Sequence, residues 1–125
     1  MRKRVSILVI MTLAAALFAV PALALSLDDA EGYFDCTKKG KTVYLYIEKT
    51  PYEDLGASFT NDNGDELFIG AGDFDGKTIK AYDGDDYYVT LTFQGEDTVK
   101  VKAGKRVKAN IGTVLDGTYK RHYGK

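Results

Sequence analysis

The side chains that could carry out acid–base or nucleophilic chemistry are few in this sequence. The single histidine, His122, stands near the carboxyl terminus among basic residues, and the single cysteine, Cys36, has no histidine near it in the sequence. Catalysis by either group needs a second residue that shares or withdraws a proton. The sequence holds no Gly-x-Ser-x-Gly, no His-Glu-x-x-His and no phosphate-binding loop. We therefore expect no catalytic residues and no enzyme activity.

Acidic side chains gather in three turn-like segments that could suggest a calcium site. The three groups are Asp62/Asp65/Glu66, Asp73/Asp75 and Asp83/Asp85/Asp86. A calcium-binding loop of the helix–loop–helix type needs oxygen ligands at alternate positions and a glutamate at its end, and none of the three groups has this spacing. Asp, Asn and Gly are also the residues that form tight turns. The interpretation we prefer is that these are turns, with no bound metal and no cofactor.

Tyrosine is the more informative residue type, with nine copies among 125 residues. Several of these tyrosines alternate with aliphatic residues and therefore lie on the opposite face of their strand. A tyrosine offers a rigid apolar surface with a polar tip, which suits protein recognition. The predicted binding residues are Tyr44, Tyr46, Tyr88, Asp83, Asp85 and Asp86. Two alternatives stay open: ordinary cross-strand pairs on an exposed sheet, or an aromatic lumen that holds a small ligand.

The stretch Asp86–Ala103 must position much of this surface, and its pattern is that of a β-hairpin. Tyr87, Val89, Leu91 and Phe93 alternate with polar residues or Tyr88, and Val99, Val101 and Ala103 alternate with Thr98 and two lysines. Successive strand side chains point to opposite faces. A loop of three residues, Gly95 to Asp97, sets Phe93 opposite Val99 and Leu91 opposite Val101. We predict this register because it keeps one face apolar.

The rest of the chain repeats short apolar–polar alternation between turn residues. Leu25–Glu31 predicts a short arm or a helical turn. The other predicted strands are Gly32–Cys36, Thr42–Glu48, Leu55–Thr60, Glu66–Ala71, Lys77–Tyr82, Arg106–Ile111 and Val114–Tyr119. Strands at this spacing indicate an all-β sandwich or barrel. Because Gly-x-aromatic strands begin and end the series, we expect the first to pair with the last, and we predict an all-β fold: a small antiparallel β-barrel of eight to nine strands.

The amino terminus has the pattern of a secretory signal peptide. Three basic residues precede the uncharged apolar run Val5–Val20, and Ala22 and Ala24 stand at the positions that signal peptidase recognises. We predict residues 1–24 as the signal peptide and residues 25–125 as a single domain. Cleavage leaves 17 − 3 = 14 basic against 18 acidic residues. The mature domain is therefore mildly acidic, which favours a basic protein partner over nucleic acid.

Part of the chain resembles a known group of proteins. The residues that carry the resemblance are Gly72–Ile79, Val89–Phe93 and the closing Leu115-Asp116-Gly117-Thr118-Tyr119-Lys120-Arg121. They resemble small exported bacterial β-barrel domains of unknown function that end in a Gly-Thr-Tyr-Lys strand. Size and export signal are also similar, more weakly, to the periplasmic C-type lysozyme inhibitors. Their paired cysteines and Ser-Gly-x-x-Tyr segment are absent here, so no inhibitory residue is transferred.

Together these observations predict a lipocalin-like or lysozyme-inhibitor-like barrel that acts outside the cytoplasm. The expected function is non-catalytic binding of a basic envelope or secreted protein, for example inhibition of a cell-wall hydrolase such as lysozyme. The alternative is a carrier with an apolar small molecule in the barrel lumen. We expect a periplasmic or extracellular monomer with no membrane span after signal cleavage. The lone Cys36 shares a strand face with Phe34, which favours a buried, inert thiol.

Overall fold

The computed structural model describes residues 24–122 and shows a closed antiparallel barrel. The predicted signal peptide lies outside the described residues, apart from Ala24. Eight strands follow one another in sequence order around the barrel: β1 Gly32–Lys38, β2 Lys41–Lys49, β3 Leu55–Thr60, β4 Glu66–Gly72, β5 Thr78–Tyr82, β6 Tyr88–Phe93, β7 Thr98–Ala103 and β8 Gly117–Arg121. Two short helices accompany them: α1 Leu27–Ala30 and α2 Lys105–Ile111. The predicted all-β barrel is confirmed, with eight strands.

Two-residue alternation produces the barrel because every second side chain can enter one interior. In β6 and β7, Val89, Leu91, Phe93, Val99 and Val101 are all buried, while the residues between them face outward. Burial of each such side chain contributes about 1.5–3 kcal/mol relative to exposure. The observed partners are Phe93 with Val99 and Leu91 with Val101, so the predicted hairpin register is confirmed. Tyr87, placed in this strand by the sequence, precedes β6 and is half-buried at the rim.

The first strand pairs with the last, as the flanking Gly-x-aromatic segments predicted. The paired positions are Phe34 with Arg121 and Asp35 with Lys120, so this seam is short. The Arg121 side chain adds contacts beyond the ladder: its guanidinium donates to the carbonyl oxygens of Asp29, Glu31 and Glu96. These carbonyls belong to α1 and its cap and to the β6–β7 turn. One side chain therefore joins both ends of the described chain to that hairpin.

The prediction of a strand at Arg106–Ile111 is wrong, because Lys105–Ile111 forms helix α2. The alternation that placed Val107, Ala109 and Ile111 on one face also contains a spacing of four between Val107 and Ile111, which suits a helix. Val107 is fully buried and Ala109 is exposed, as helical geometry requires. The final strand consequently begins later than predicted, at Gly117 rather than Val114.

A glycine shapes the junction between β4 and β5. A Cβ atom on Gly72 would lie 2.1 Å from the carbonyl oxygen of Lys80, a distance that no side chain tolerates. The two strands are in register at Ala71 and Tyr82, with a further isolated bridge between Phe74 and Ile79. Glycine at this position therefore lets the backbones of β4 and β5 approach each other closely.

Side chains from all eight strands fill the interior. Aromatic rings meet edge to face across it: the ring centroids of Phe34 and Phe93 are 6.0 Å apart, and those of Phe59 and Tyr119 are 5.7 Å apart. The Tyr119 hydroxyl donates to the Leu115 carbonyl at 2.8 Å, which satisfies the polar atom that this ring buries. Burial raises the pKa of Tyr119, with the nearby Cys36 and Asp116 adding to the effect. Cys36 itself is a free thiol and is buried, as predicted.

Candidate binding site

The outer surface of β2–β5 carries a depression that we call the tyrosine trough. Its floor is made of small residues, chiefly Gly56, Ser58 and Ala71. One wall begins at Tyr46, which lies directly opposite Ser58 in the β2–β3 ladder. The ring of Tyr46 stacks on Tyr33 with centroids 4.4 Å apart. This stacking fixes both rings, so the wall is rigid before any partner arrives.

The second wall of the trough lies on β5, across the floor from Tyr46. Tyr82 pairs with Ala71 across the β4–β5 junction and lines the trough. Its ring contacts that of Tyr88 on β6, with centroids 5.2 Å apart. Ile69 lies opposite Ser58 and projects from the floor. Tyrosine pairs therefore stand on both sides of a floor of mostly small residues, with Ile69 as its one large apolar side chain.

The trough has a volume of about 310 Å³ and opens to solvent. Large apolar groups around it are unusually exposed: Tyr33 at 60%, Ile69 at 50% and Tyr82 at 41%. Glu48 and Asp83 line the trough and supply negative charge. Desolvation raises the pKa of the Tyr46 phenol, and the nearby Glu48 carboxylate adds to this effect. The Tyr46 hydroxyl therefore stays a neutral hydrogen-bonding group beside the acidic rim.

The structure brings two of the six predicted binding residues, Tyr46 and Asp83, into the trough. Tyr44 lies on the same outer face of β2, next to Asp35 and Thr60 in the ladders, and is 45% exposed. Tyr88 supports Tyr82 from behind and lines a different groove on β6–β8. All three tyrosines face outward, so the alternative of an aromatic lumen does not describe this barrel.

The remaining two predicted residues, Asp85 and Asp86, lie exposed in the turn between β5 and β6. A hydrogen bond from the Asp83 N–H to the Tyr87 carbonyl, 2.7 Å long, closes that turn. Asp86 is 3.7 Å from Arg106 on α2, an exposed ion pair that contributes little stability. The two carboxylates thus belong to the trough's surroundings and do not line it.

Two large side chains that line the trough, Tyr82 and Ile69, and the Tyr33 ring that stacks on its wall were not among the predicted site residues, although the sequence carried a signal for each. Tyr33 and Tyr82 alternate with the inward-facing Phe34 and Ala81, so both had to face outward. Ile69 follows the inward-facing Phe68. What sequence could not supply is the cross-strand register that aligns these side chains on one surface. That register also depends on the shift between β3 and β4 at Thr60.

The acidic turns use their carboxylates and amides to cap backbone groups. Asp75 Oδ1 accepts from the N–H groups of Lys77 and Thr78 at 2.9 and 2.7 Å, and these bonds lower the pKa of Asp75. Asn61 Oδ1 likewise accepts from two backbone N–H groups within its turn. Within residues 24–122, no group of three or more His, Cys, Asp or Glu side chains converges as metal ligands do. The turns therefore have a structural explanation for their composition.

His122 forms a surface pair with one carboxylate. Its Nδ1 atom lies 3.1 Å from Asp35 Oδ2, and the two side chains are 54% and 30% exposed. The backbone N–H of His122 donates to the Tyr33 carbonyl at 2.7 Å, extending the seam between β1 and β8.

Comparison with known proteins yields no match to a family profile, to a curated protein or to a solved structure. Among the described residues, neither helix has the length and apolar character needed to cross a bilayer.

Proposed function

We propose that this protein is an exported, non-catalytic binding module of the bacterial cell envelope that binds a protein partner through the tyrosine trough. Inhibition of a basic cell-wall hydrolase such as lysozyme is the concrete form of this proposal. The leader pattern supports export. The size of the domain and its export signal are weakly similar to those of the lysozyme inhibitors.

The observation that carries the proposal is the combination of exposed rigid aromatics with an acidic rim. Tyr46 and Tyr82 present apolar surface on opposite sides of the floor, and Glu48 and Asp83 add negative charge beside them. Aromatic residues in a preformed depression are typical of the centres of protein interfaces. The acidic rim attracts a basic partner and speeds its association.

The structure supports a surface function over the lumen-carrier alternative. Inward side chains meet ring to ring, and the two cavities described here lie on the outside of the barrel. An internal ligand would have to displace packed core residues, and loss of such packing costs several kcal/mol.

Lysis of a cell-wall suspension by lysozyme tests the proposal, with the mature chain, residues 25–125, added in increasing molar excess. We expect slower lysis with the wild type and at least a tenfold weaker effect with Ser58→Lys, which fills the trough floor and adds positive charge. Thr118→Lys is the matched control, because it makes the same charge change on an outward strand position outside the trough. Absence of slowing at large excess would overturn the proposal, and so would equal potency of the wild type and Ser58→Lys.

A further inference from the structure

A second surface of the barrel differs sharply from the trough: the outward side of β5, β6, β7 and β8, which we call the lysine–threonine face. Four exposed lysines project from it, Lys80, Lys100, Lys102 and Lys120. The other outward positions of these strands hold threonine or, near the β5–β6 turn, tyrosine. No aspartate or glutamate occupies an outward position on these four strands.

The ladder registers arrange these residues in an alternating pattern. Thr90 lies between Lys80 on one side and Lys102 on the other, and Lys100 lies opposite Thr92. Directly opposite side chains are about 5 Å apart at Cβ, and residues two apart along a strand are separated by about 6.5–7 Å. Lysine and threonine therefore alternate across the strands of this face, and Lys100 and Lys102 are consecutive outward residues along β7.

The positive charge of this face is not neutralised locally. None of the four lysines takes part in an ion pair among residues 24–122. Lys120 donates to the Thr98 hydroxyl at 3.2 Å, and the Lys80 ammonium lies 4.8 Å from the centre of the Tyr88 ring. The whole sequence carries 17 basic and 18 acidic residues, so this concentration of charge reflects segregation and not composition.

The lysine–threonine face is also grooved. A depression of about 660 Å³ runs over β6–β8, lined by Thr90, Thr92, Lys100, Lys102 and Thr118 among others. Asp116 lies at its margin, where its Oδ1 atom accepts from the Ala103 N–H at 2.8 Å. Its other carboxylate oxygen is 4.0 Å from Lys108 Nζ. The one carboxylate at the groove is thus already engaged with the protein.

We propose that the lysine–threonine face binds a linear anionic polysaccharide. Lysine ammonium groups act as point charges for carboxylate or phosphate groups carried on successive sugars. Threonine hydroxyls between them both donate and accept hydrogen bonds, which matches the hydroxyl groups of a sugar backbone. An open groove admits a chain that continues beyond both ends of the site.

Nucleic acid fits this face less well than a glycan. Binding of single strands relies on aromatic rings that stack with bases. The aromatic ring of the groove, Tyr88, is already in contact with Lys80 and Tyr82. The face contains no arginine at an outward strand position, although arginine is the residue best suited to bidentate phosphate recognition.

The inference does not depend on the proposed protein partner, because the two surfaces are centred on different strands. The trough is centred on β3 and β4, whereas this face is centred on β6 and β7. A variant of one surface is therefore expected to leave the other function unchanged. If a variant of the lysine–threonine face still slows lysis, the proposed function stands whatever the result of the glycan-binding test.

Fluorescence anisotropy tests the inference, with labelled oligogalacturonate and labelled glycerol-phosphate oligomer as the two anionic probes, and the mature chain as the protein. Neutral dextran and an oligothymidylate of matched length are the comparison ligands. We expect binding of at least one anionic probe that weakens steeply with salt, and no binding of dextran. The carboxylate and phosphate probes identify which anion the face prefers.

Lys100→Gln/Lys102→Gln should reduce this affinity at least tenfold, while Lys100→Arg/Lys102→Arg should retain it. Lys41→Gln/Lys49→Gln removes the same charge from β2, on another side of the barrel, and should change the affinity less than twofold. No binding of either anionic probe at low salt would overturn the inference. Equal loss in the β2 control, binding of dextran, or tighter binding of oligothymidylate than of both anionic probes would also overturn it.

Discussion

Replacement of Arg121 should destabilise the barrel more than replacement of the neighbouring Lys120, because the Arg121 side chain holds the first and last strands together. Its Nη1 atom donates to the Glu31 carbonyl oxygen at 2.6 Å. Its Nη2 atom donates to the carbonyl oxygens of Asp29 at 2.6 Å and of Glu96 at 2.8 Å. The guanidinium carbon also lies 4.6 Å from the centre of the Phe34 ring. Only 12% of the Arg121 side chain is exposed.

The magnitude follows from what Arg121→Met removes and what it keeps. Methionine keeps an apolar side chain of similar length, so what is lost is the guanidinium group: its hydrogen bonds, its contact with the Phe34 ring and its 3.5 Å ion pair with the exposed Asp97. Each charge-assisted hydrogen bond contributes about 1.5–3 kcal/mol, and water can replace the bond at the more exposed Glu96 carbonyl. The two bonds to Glu31 and Asp29 then give an expected loss of about 3–6 kcal/mol in the free energy of unfolding. For a domain of this size each kcal/mol lowers Tm by about 4–8 °C, so Tm should fall by at least about 12 °C.

Urea denaturation followed by circular dichroism measures this difference, with Lys120→Met as the control. Lys120 is the neighbouring residue, is exposed and makes a single hydrogen bond to Thr98 at 3.2 Å, so its replacement should cost less than about 0.5 kcal/mol. Arg121→Lys should behave like Arg121→Met, because one ammonium group cannot reach carbonyls on both sides of the seam. A loss below about 0.5 kcal/mol for Arg121→Met would refute the role of Arg121 in closing the barrel.

Two further predictions concern hydrogen bonds whose effect depends on pH. Tyr119→Phe leaves the buried Leu115 carbonyl unpaired and should cost about 1–2 kcal/mol at neutral pH. Because folding raises the pKa of Tyr119 above its ordinary value of 10.0, wild-type stability should fall above about pH 10, and Tyr119→Phe should show a shallower fall in urea titrations. Backbone N–H groups of Lys77 and Thr78 lower the pKa of Asp75 below its ordinary value of 3.8, so its contribution is present above about pH 4 and lost as pH falls through the lowered value. Asp75→Asn keeps the acceptor without the charge, so its unfolding free energy should change less than that of the wild type between pH 5 and pH 2; an identical pH profile would contradict this cause.

The barrel was predictable because its strands obey one simple rule. Phe93 had to meet Val99 if both were to be buried, and this requirement fixed the hairpin register without any knowledge of the rest of the fold. The pairing of the first and last strands was predicted from free edges that needed partners. By contrast, Val107 and Ile111 satisfy both helical and strand spacing over a short segment, so periodicity alone could not identify α2.

The candidate site was less accessible to sequence reasoning because it depends on register between several strands. Tyr46 and Asp83 were predicted individually, yet they are about forty residues apart in the sequence and meet only because four strands lie side by side. Asp85 and Asp86 shared the charge of Asp83 but lie too far along the turn to line the trough. Composition drew attention to tyrosine and aspartate, whereas the shape of the surface required the folded chain.

Closure of the sheet limits the ways in which this protein can recognise another molecule. Each of the eight strands is hydrogen-bonded on both sides, so the barrel has no unpaired strand to which a foreign peptide could add by backbone hydrogen bonding. A partner of the kind proposed above would then be recognised through side chains on the convex outer wall. The same closure leaves neighbouring copies no template for edge-to-edge polymerisation through the eight described strands.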